Sequence, residues 1–337
     1  MSKIVSSIEN LNLMVEQALR CRFRGETSEQ IALIEALTNM ISDCRLKGWN
    51  DKNVIKGLCS SDTSKYRQSL SEVLLFHLLS AQGFTPICST NGPDFVIEKH
   101  GKKIWIEVIT PEPKGLPDDW CSGAMGKAIT VPNDEILLRW TNAIDEKTKK
   151  LNGRFEPRTG EFRPGYLQKK IVGPNDSYVI AINGIDLRWH WVFPNLNGIS
   201  QYPFAVEAVF GIGPIQIHID RKTLTATHSD QQIRDSIPKR VDQNVPVGTF
   251  ISSGPFTQNE FKRVSAIWAL DIDEMYSLGH ERPMVVVHNP LAEFPIEEKL
   301  LPAFEEYVCI AQANEWQLTR KPGVRKSASK DVENDAI

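Results

Sequence analysis

Two apolar runs joined by a short polar turn stand out near the middle of the chain. Residues 94–99 and 103–109 have the composition of strands, and His100-Gly101 between them is typical of the tight turn of a β-hairpin. Apolar residues spaced three or four apart predict one helix before the hairpin and one after it. The predicted order is helix 66–82, strands 84–88, 94–99 and 103–109, helix 134–151 and strand 178–183.

The rest of the chain divides into three parts by the same criteria. Helical spacing predicts a helical extension over residues 1–65, and an α/β domain follows over 66–316 with its core at 66–183. Short apolar runs within that domain predict a strand at 205–210 and a helix near 257–268. The polar residues 317–337 are typical of a disordered tail. We therefore predict an α/β fold with a mixed central sheet flanked by helices.

Composition excludes several classes of protein. The chain has 337 residues, of which 41% are hydrophobic and 24% charged, which is typical of a globular protein. It contains no apolar run of the roughly 20 residues that a membrane span needs, so we expect no membrane association. Its six cysteines are scattered without a CxxC pair, which argues against both a zinc site and a disulfide framework. Such cysteines fit a reducing cytosol, so we expect a cytoplasmic location.

Basic residues are concentrated in one segment although the whole chain has a net charge of −3. Residues 147–170 contain only two acidic residues, Glu156 and Glu161. A basic strip on an acidic protein suits contact with a polyanion such as nucleic acid, although a solvated loop would explain it equally well. The basic residues of this strip are Lys147, Lys149, Lys150, Arg154, Arg158, Arg163, Lys169 and Lys170.

Each strand of the hairpin carries one acidic residue among apolar neighbours. Asp94 precedes Phe95-Val96-Ile97, and Glu107 interrupts the run 104–109, which offers no polar face. Two carboxylates on neighbouring strands repel each other unless a positive charge lies between them. Carboxylate oxygens are preferred ligands of Mg²⁺ and Mn²⁺, so the pair predicts a site for such an ion. For Asp94 alone, a role in the turn after Gly92-Pro93 is the alternative.

The two helices contribute an acid and a lysine. Glu72 lies on a helix that is apolar on all sides, where an acidic residue is unusual. Either Glu72 is buried near the site, or it lies in the first turn of the helix, where its charge is favourable to the helix dipole. Lys147 falls in the middle of the apolar face of the helix 134–151 and is flanked by Arg139 and Lys150. Lys147 either extends to solvent, the usual behaviour of such lysines, or points at an anionic site on the sheet.

This arrangement resembles the PD-(D/E)XK nuclease superfamily, which has the restriction-endonuclease-like fold. The resemblance is carried by Pro93-Asp94 and Glu107 on a hairpin, by the preceding helix with Glu72, and by the helix and strand that follow. It covers residues 66–183 and implies a nuclease of that fold, either catalytically active or inactive. It further implies metal-dependent hydrolysis of phosphodiester bonds in nucleic acid, in DNA rather than RNA.

By the same resemblance, Asp94, Glu107 and the backbone carbonyl of Val108 would hold Mg²⁺ or Mn²⁺, and Glu72 would complete the outer shell of the metal. Members of the superfamily usually carry a lysine two residues after the second acid, but this chain has Ile109 there. Lys147 is our candidate for the displaced lysine because of its position on the helix. The second choices are Gln168, Lys169 and Lys170.

Nucleic acid is expected to contact the basic strip and the turn 99–103. Such contacts bind the phosphate backbone without reading sequence. A homodimer or a partner protein is expected where both strands of a duplex are cut. The residues predicted to bind nucleic acid are Arg139, Lys150, Arg154, Lys169 and Lys170.

Three functions remain open from the sequence. The first is an active metal-dependent nuclease. The second is a catalytically inactive protein of the same fold that binds nucleic acid or protein, and the absence of a lysine at position 109 favours it. The third is another hydrolase with paired carboxylates, such as a glycosidase. A requirement for metal separates the first from the third, and binding without cleavage separates the first from the second.

Overall fold

The structure is a computed structural model that describes residues 2–49, 52–122, 130–189, 194–242, 245–312 and 315–325. Within these ranges the α-helices are α1 Ser2–Phe23, α2 Ser28–Leu46, α3 Lys52–Leu58, α4 Thr63–Ala81, α5 Asp118–Ser122, α6 Asn133–Asn152 and α7 Phe204–Phe210. The strands are β1 Ile87–Cys88, β2 Phe95–Lys99, β3 Lys102–Ile109, β4 Arg154–Phe155, β5 Phe162–Arg163, β6 Ser177–Asn183, β7 Ile212–Ile219, β8 Ala226–Ile233, β9 Ser236–Asp242, β10 Val245–Ser252, β11 Ala266–Leu270, β12 Met284–His288, β13 Glu305–Gln312 and β14 Glu315–Pro322.

A mixed eight-stranded sheet forms the centre of the fold, in the order β1-β2-β3-β6-β11-β12-β13-β14. β1, β2 and β3 are antiparallel, whereas β3, β6 and β11 run parallel to one another. The prediction of an α/β fold with a mixed central sheet flanked by helices is therefore confirmed. The remaining pairs β4–β5, β7–β8 and β9–β10 are separate two-stranded ribbons.

The middle of the sheet, strands β6, β11 and β12, is buried on both faces because these strands are apolar on both sides. Along β6, Val179 and Ala181 belong to a core cluster shared with helices α1–α4, whereas Tyr178, Ile180 and Ile182 belong to a second cluster shared with α6 and α7. A strand buried on both faces has a nearly continuous apolar sequence, as β6 has. None of the described helices combines the length and the apolar character that crossing a membrane requires.

The hairpin β2–β3 forms where the sequence predicts it. His100 and Gly101 both have positive φ angles, of 51° and 74°, as the mirror-image turns of two-residue hairpins require. The two strands pair from Lys99 opposite Lys102 to Phe95 opposite Ile106. This register places Asp94 next to Glu107, at the point where β2 begins.

Helix α4 begins earlier than predicted, and this decides between the two interpretations of Glu72. Its N-cap is Asp62, whose carboxylate accepts hydrogen bonds from the backbone N–H groups of Ser64 and Lys65. Glu72 consequently lies in the middle of the helix, so the interpretation as a first-turn acid is wrong. Helix α6 begins at Asn133, one residue before the predicted start, and the side-chain amide of Asn133 donates to the carbonyl of Val131.

Three further predictions of local structure are wrong. Residues 205–210 form helix α7 rather than a strand, and the region 257–268 contains short 3-10 turns followed by β11 rather than a helix. The tail predicted at 317–337 is wrong over residues 317–322, which belong to β14. This strand forms because its residues from Glu315 to Pro322 pair with β13. Residues 323–325 follow this strand, and the part of the predicted tail from residue 326 onward lies outside the described residues.

Candidate active site

The carboxylate of Glu107 is the centre of a buried polar cluster between β3 and α6. Glu107 is 3% exposed and projects from the face of β3 that is turned toward α6. Its Oε1 atom accepts hydrogen bonds from Nζ of Lys147 at 2.9 Å and from Nζ of Lys150 at 3.1 Å. Its Oε2 atom accepts one from the hydroxyl of Tyr166 at 3.3 Å. A buried carboxylate is thus compensated by two ammonium groups and a phenol.

Asp94 completes the cluster from the start of β2. Its Oδ2 atom accepts a hydrogen bond of 2.6 Å from the backbone N–H of Val108. Burial, followed by the negative charge of Glu107, raises the pKa of Asp94 from 3.8 to about 7, although the N–H of Val108 and the charges of Lys147 and Lys150 act in the opposite direction. Asp94 is therefore a carboxylate with too little positive charge around it, in contrast to Glu107.

Helix α6 positions both lysines through its amphipathic sequence. Ile136, Trp140, Ala143 and Ile144 bury one face of the helix, and Lys147 lies on that face with 8% of its side chain exposed. Of the two alternatives that the sequence leaves open for Lys147, the structure shows the one in which it points at the sheet, where it contacts Glu107.

Lys150, one turn further along α6, reaches the same carboxylate from a more exposed position. Burial lowers the pKa of Lys150, but the charge of Glu107 and the hydrogen bonds of Lys150 with Lys147 and Glu107 together raise it by more, so the ammonium stays protonated.

Lys147 enters the site on the same face of β3 as Ile109, the residue at the position where the motif usually has lysine. Ile109 and Glu107 are two residues apart on one strand and therefore project to the same side. Ile109 and Lys147 also line the same cleft, whose volume is about 800 Å³. The ammonium of Lys147 therefore lies next to Glu107, on the face of β3 from which Ile109 also projects.

Tyr166 contributes to the site although sequence patterns give no reason to select it. The loop after α6 is bound to the last turn of that helix, because the backbone N–H groups of Tyr166 and Leu167 donate to the carbonyls of Lys150 and Leu151. Gly165 is required for this approach, since a Cβ atom there would lie 2.4 Å from the carbonyl oxygen of Leu151. Burial and the negative charge of Glu107 raise the pKa of Tyr166, so its hydroxyl remains a hydrogen-bond donor.

Gln68, on α4, is a second residue that motif-based reasoning misses. Its amide nitrogen donates to the carbonyl of Val108 at 3.2 Å and to Glu72 at 2.9 Å, and its amide oxygen accepts the N–H of Thr110 at 2.8 Å. Gln68 thus holds the end of β3 from the side opposite Glu107. Its position four residues before Glu72 is the signal in the sequence, because residues four apart are neighbours on a helix.

The predicted site residues consequently fall into two groups. Asp94, Glu107, Lys147 and the backbone of Val108 come together with Lys150. Glu72, on α4, is linked to this group through Gln68, which donates both to Glu72 and to the carbonyl of Val108.

Two clefts flank the site. The larger, lined by Gln68, Arg139 and Lys147, lies between the helical part and α6. The buried Nε atom of Arg139 has no hydrogen-bond partner among the described residues. The second cleft, of about 480 Å³, is lined by Tyr166 and by one acidic residue, Glu146; we call it the basic cleft. Five basic residues line the basic cleft: Lys149, Lys150, Arg154, Arg163 and Lys169.

The predicted nucleic-acid contacts are divided among these surfaces. Lys150, Arg154 and Lys169 lie together in the basic cleft, and Arg139 lies in the larger one. Lys170 instead lines a separate depression with Lys102 and Lys103 of the hairpin turn. Gln168 accepts the backbone N–H of Gly165 and supports the loop that carries Tyr166.

The residues present fit a hard divalent cation. Mg²⁺ is commonly bound by one or two carboxylates together with water, and the pair Asp94–Glu107 offers that donor set. The raised pKa of Asp94 indicates where an additional positive charge would be most favourable. The carbonyl of Val108, which accepts one hydrogen bond from Gln68, retains a second lone pair.

Comparison of the chain with protein-family models, with curated proteins and with solved structures found no match in any of the three.

Proposed function

We propose that this protein is a metal-dependent nuclease that hydrolyses phosphodiester bonds of nucleic acid, with DNA preferred over RNA. The observation that carries the proposal is the contact of Lys147 with Glu107 beside Asp94, because it supplies the lysine that the strand motif lacks. The order of elements supports it as well. Helix α4, the antiparallel strands β1 to β3, helix α6 and the parallel strand β6 follow one another as the restriction-endonuclease-like fold would require.

Each residue of the cluster has a distinct part in the proposed reaction. Asp94 and Glu107 would hold Mg²⁺ or Mn²⁺, which when bound would polarise a phosphoryl oxygen and acidify a bound water. Lys147 would stabilise the negative charge that develops on the phosphate, since a buried ammonium acts strongly where water is excluded. Tyr166 and Lys150 hold Glu107 in one orientation.

The basic cleft gives the substrate a path next to the site. Its five basic side chains would neutralise phosphates of the nucleic-acid backbone, an interaction that is independent of sequence and weakens with salt. Cleavage of both strands of a duplex would require two such sites, which a homodimer or a partner protein would provide.

The experiment that tests the proposal compares Lys147→Met with Lys47→Met. Both substitutions remove one ammonium, but Lys47, the residue that ends α2, is half-exposed, pairs with Asp43 and lines neither of the two clefts. Purified protein would be incubated with single-stranded DNA, duplex DNA and RNA in Mg²⁺, Mn²⁺ or EDTA. We expect metal-dependent cleavage by the wild type and by Lys47→Met, and a loss of at least about a hundredfold in Lys147→Met, as for removal of one group that stabilises transition-state charge.

A catalytically inactive binding protein is the second candidate, and Ile109 together with the full pairing of Glu107 favours it. The same experiment decides between the two. If every substrate stays intact with the wild type in both metals while nucleic acid is bound in a salt-dependent manner, the nuclease proposal is wrong and the binding function replaces it. Retained cleavage in Lys147→Met would show that the lysine has another source.

A further inference from the structure

The ribbon β7–β8 carries a second cluster of metal-ligating side chains, away from the candidate active site. Within the ribbon His218 on β7 lies directly opposite His228 on β8, and Gln216 lies opposite Asp230. Since alternate residues of a strand share a face, His218, His228 and Asp230 project from the same side of the ribbon. All three are exposed.

The side chains of this cluster are already close together. The imidazole rings of His218 and His228 are stacked, with centroids 4.2 Å apart and an angle of 6° between their planes. Nε2 of His218 lies 3.0 Å from Oδ1 of Asp230. One ligand atom from each residue lies within 4.8 Å of the others, and no other group of three or more such residues meets this condition among the described residues.

Further contacts of the ribbon favour a ligand at this cluster. The hydroxyl of Thr227 lies 3.2 Å from Nδ1 of His228, the kind of outer contact that fixes the orientation of a ligating imidazole. The turn between the strands is held by Asp220, whose carboxylate accepts the N–H groups of Lys222 and Thr223. The end of the ribbon next to the histidine pair is therefore held by its turn.

We propose that His218, His228 and Asp230 bind a late divalent transition metal of the zinc class. Two imidazoles and one carboxylate are a donor set that suits Zn²⁺, with water in the fourth position, whereas Mg²⁺ prefers oxygen ligands alone. The metal would join the two strands of a ribbon that is marginally stable when isolated.

This site is independent of the proposed nuclease activity, and its test uses binding rather than cleavage. Untagged protein would be titrated with Zn²⁺ by calorimetry and with Co²⁺ by visible absorption, at neutral pH with and without excess Mg²⁺. His228→Ala removes one ligand. His100→Ala is the matched control. His100 is also exposed and lies 3.3 Å from the carboxylate of Glu297, but among the described residues it belongs to no cluster of three metal-ligating side chains.

We expect the wild type and His100→Ala to bind one Zn²⁺ more per chain than His228→Ala, with no competition from Mg²⁺. Asp230→Asn should bind at least about tenfold more weakly, since even the loss of an outer partner costs that much at metal sites. Asp94→Asn should leave this binding unchanged, which separates it from the candidate active site. Equal Zn²⁺ binding by the wild type and His228→Ala, or no binding by either, would overturn the proposal.

Discussion

Replacing Asp94 with asparagine tests the electrostatics of the candidate active site without any assumption about substrate. The asparagine side chain would have nearly the same shape and could still accept the N–H of Val108, but it would carry no charge. In the wild type, burial and the charge of Glu107 raise the pKa of Asp94 from 3.8 to about 7. The folded protein therefore binds a proton that the unfolded chain releases, and ionised Asp94 destabilises the fold.

The size of the effect follows from the pKa values. A raised pKa in the folded state gives a contribution to stability that is complete below the unfolded value of 3.8 and is lost as the pH rises through about 7. Each unit corresponds to about 1.4 kcal/mol. The free energy of unfolding of Asp94→Asn, relative to the wild type, should therefore increase by about 2 to 3 kcal/mol between pH 5 and pH 8 in the absence of metal.

Urea unfolding at several pH values in EDTA measures this difference directly. Asp145→Asn is the control, because Asp145 is an exposed acid on α6 whose pair with Lys149 contributes little, so its effect should vary by less than about 0.5 kcal/mol over the same range. Excess Mg²⁺ should stabilise the wild type at pH 8 but not Asp94→Asn. A difference between Asp94→Asn and the wild type that is constant with pH would refute the proposed charge deficit at Asp94.

Three further experiments probe the surroundings of Glu107 and the basic cleft. Tyr166→Phe removes one hydrogen bond to Glu107, so it should lower the free energy of unfolding by about 1 kcal/mol. It should also slow cleavage with little effect on nucleic-acid binding, and unchanged cleavage would argue against a positioning role of Tyr166. Gln68→Ala should cost about 2 kcal/mol in urea unfolding, because it leaves backbone groups at the end of β3 without their partner, and an effect below about 0.5 kcal/mol would contradict this. Charge reversal at Arg154 and Arg163 should weaken DNA binding at low salt. It should also reduce the slope of log affinity against log salt concentration by about 1 for each lost phosphate contact. An unchanged slope would mean that DNA does not bind in the basic cleft.

Local sequence information predicts the hairpin and its acids well because the determinants are local. The turn His100-Gly101 fixes the register of β2 and β3, and the register alone brings Asp94 beside Glu107. Helix α6 is equally predictable, since its apolar residues repeat on one face. The buried position of Lys147 follows from that repeat.

The failures concern elements whose apolar residues do not show a period. Residues 205–210 are apolar at all positions but one, and such a short run is compatible with a buried strand or a buried helix. The bounds of α7 are set by Pro203 before it and by Gly211 after it, which has a left-handed conformation. β14 is misassigned for a different reason. Its polar sequence is typical of a tail, and only its pairing with β13 makes it a strand.

Tyr166 shows why the sequence does not predict all residues of the site. Its contact with Glu107 depends on the loop after α6 turning back onto the last carbonyls of that helix, and Gly165 permits this turn but does not predict its destination. Lys147, Lys150 and Tyr166 all reach Glu107 from α6 or the loop bound to it, so the docking of this one helix assembles the charge environment of the hairpin acids. The hydroxyl of Tyr178, on β6, donates to the carbonyl of Lys147 and ties the helix to the sheet at that level. Because the lysine comes from a helix rather than from the strand, the site forms only when this helix packs on the sheet. A sequence motif confined to the strand does not contain that information.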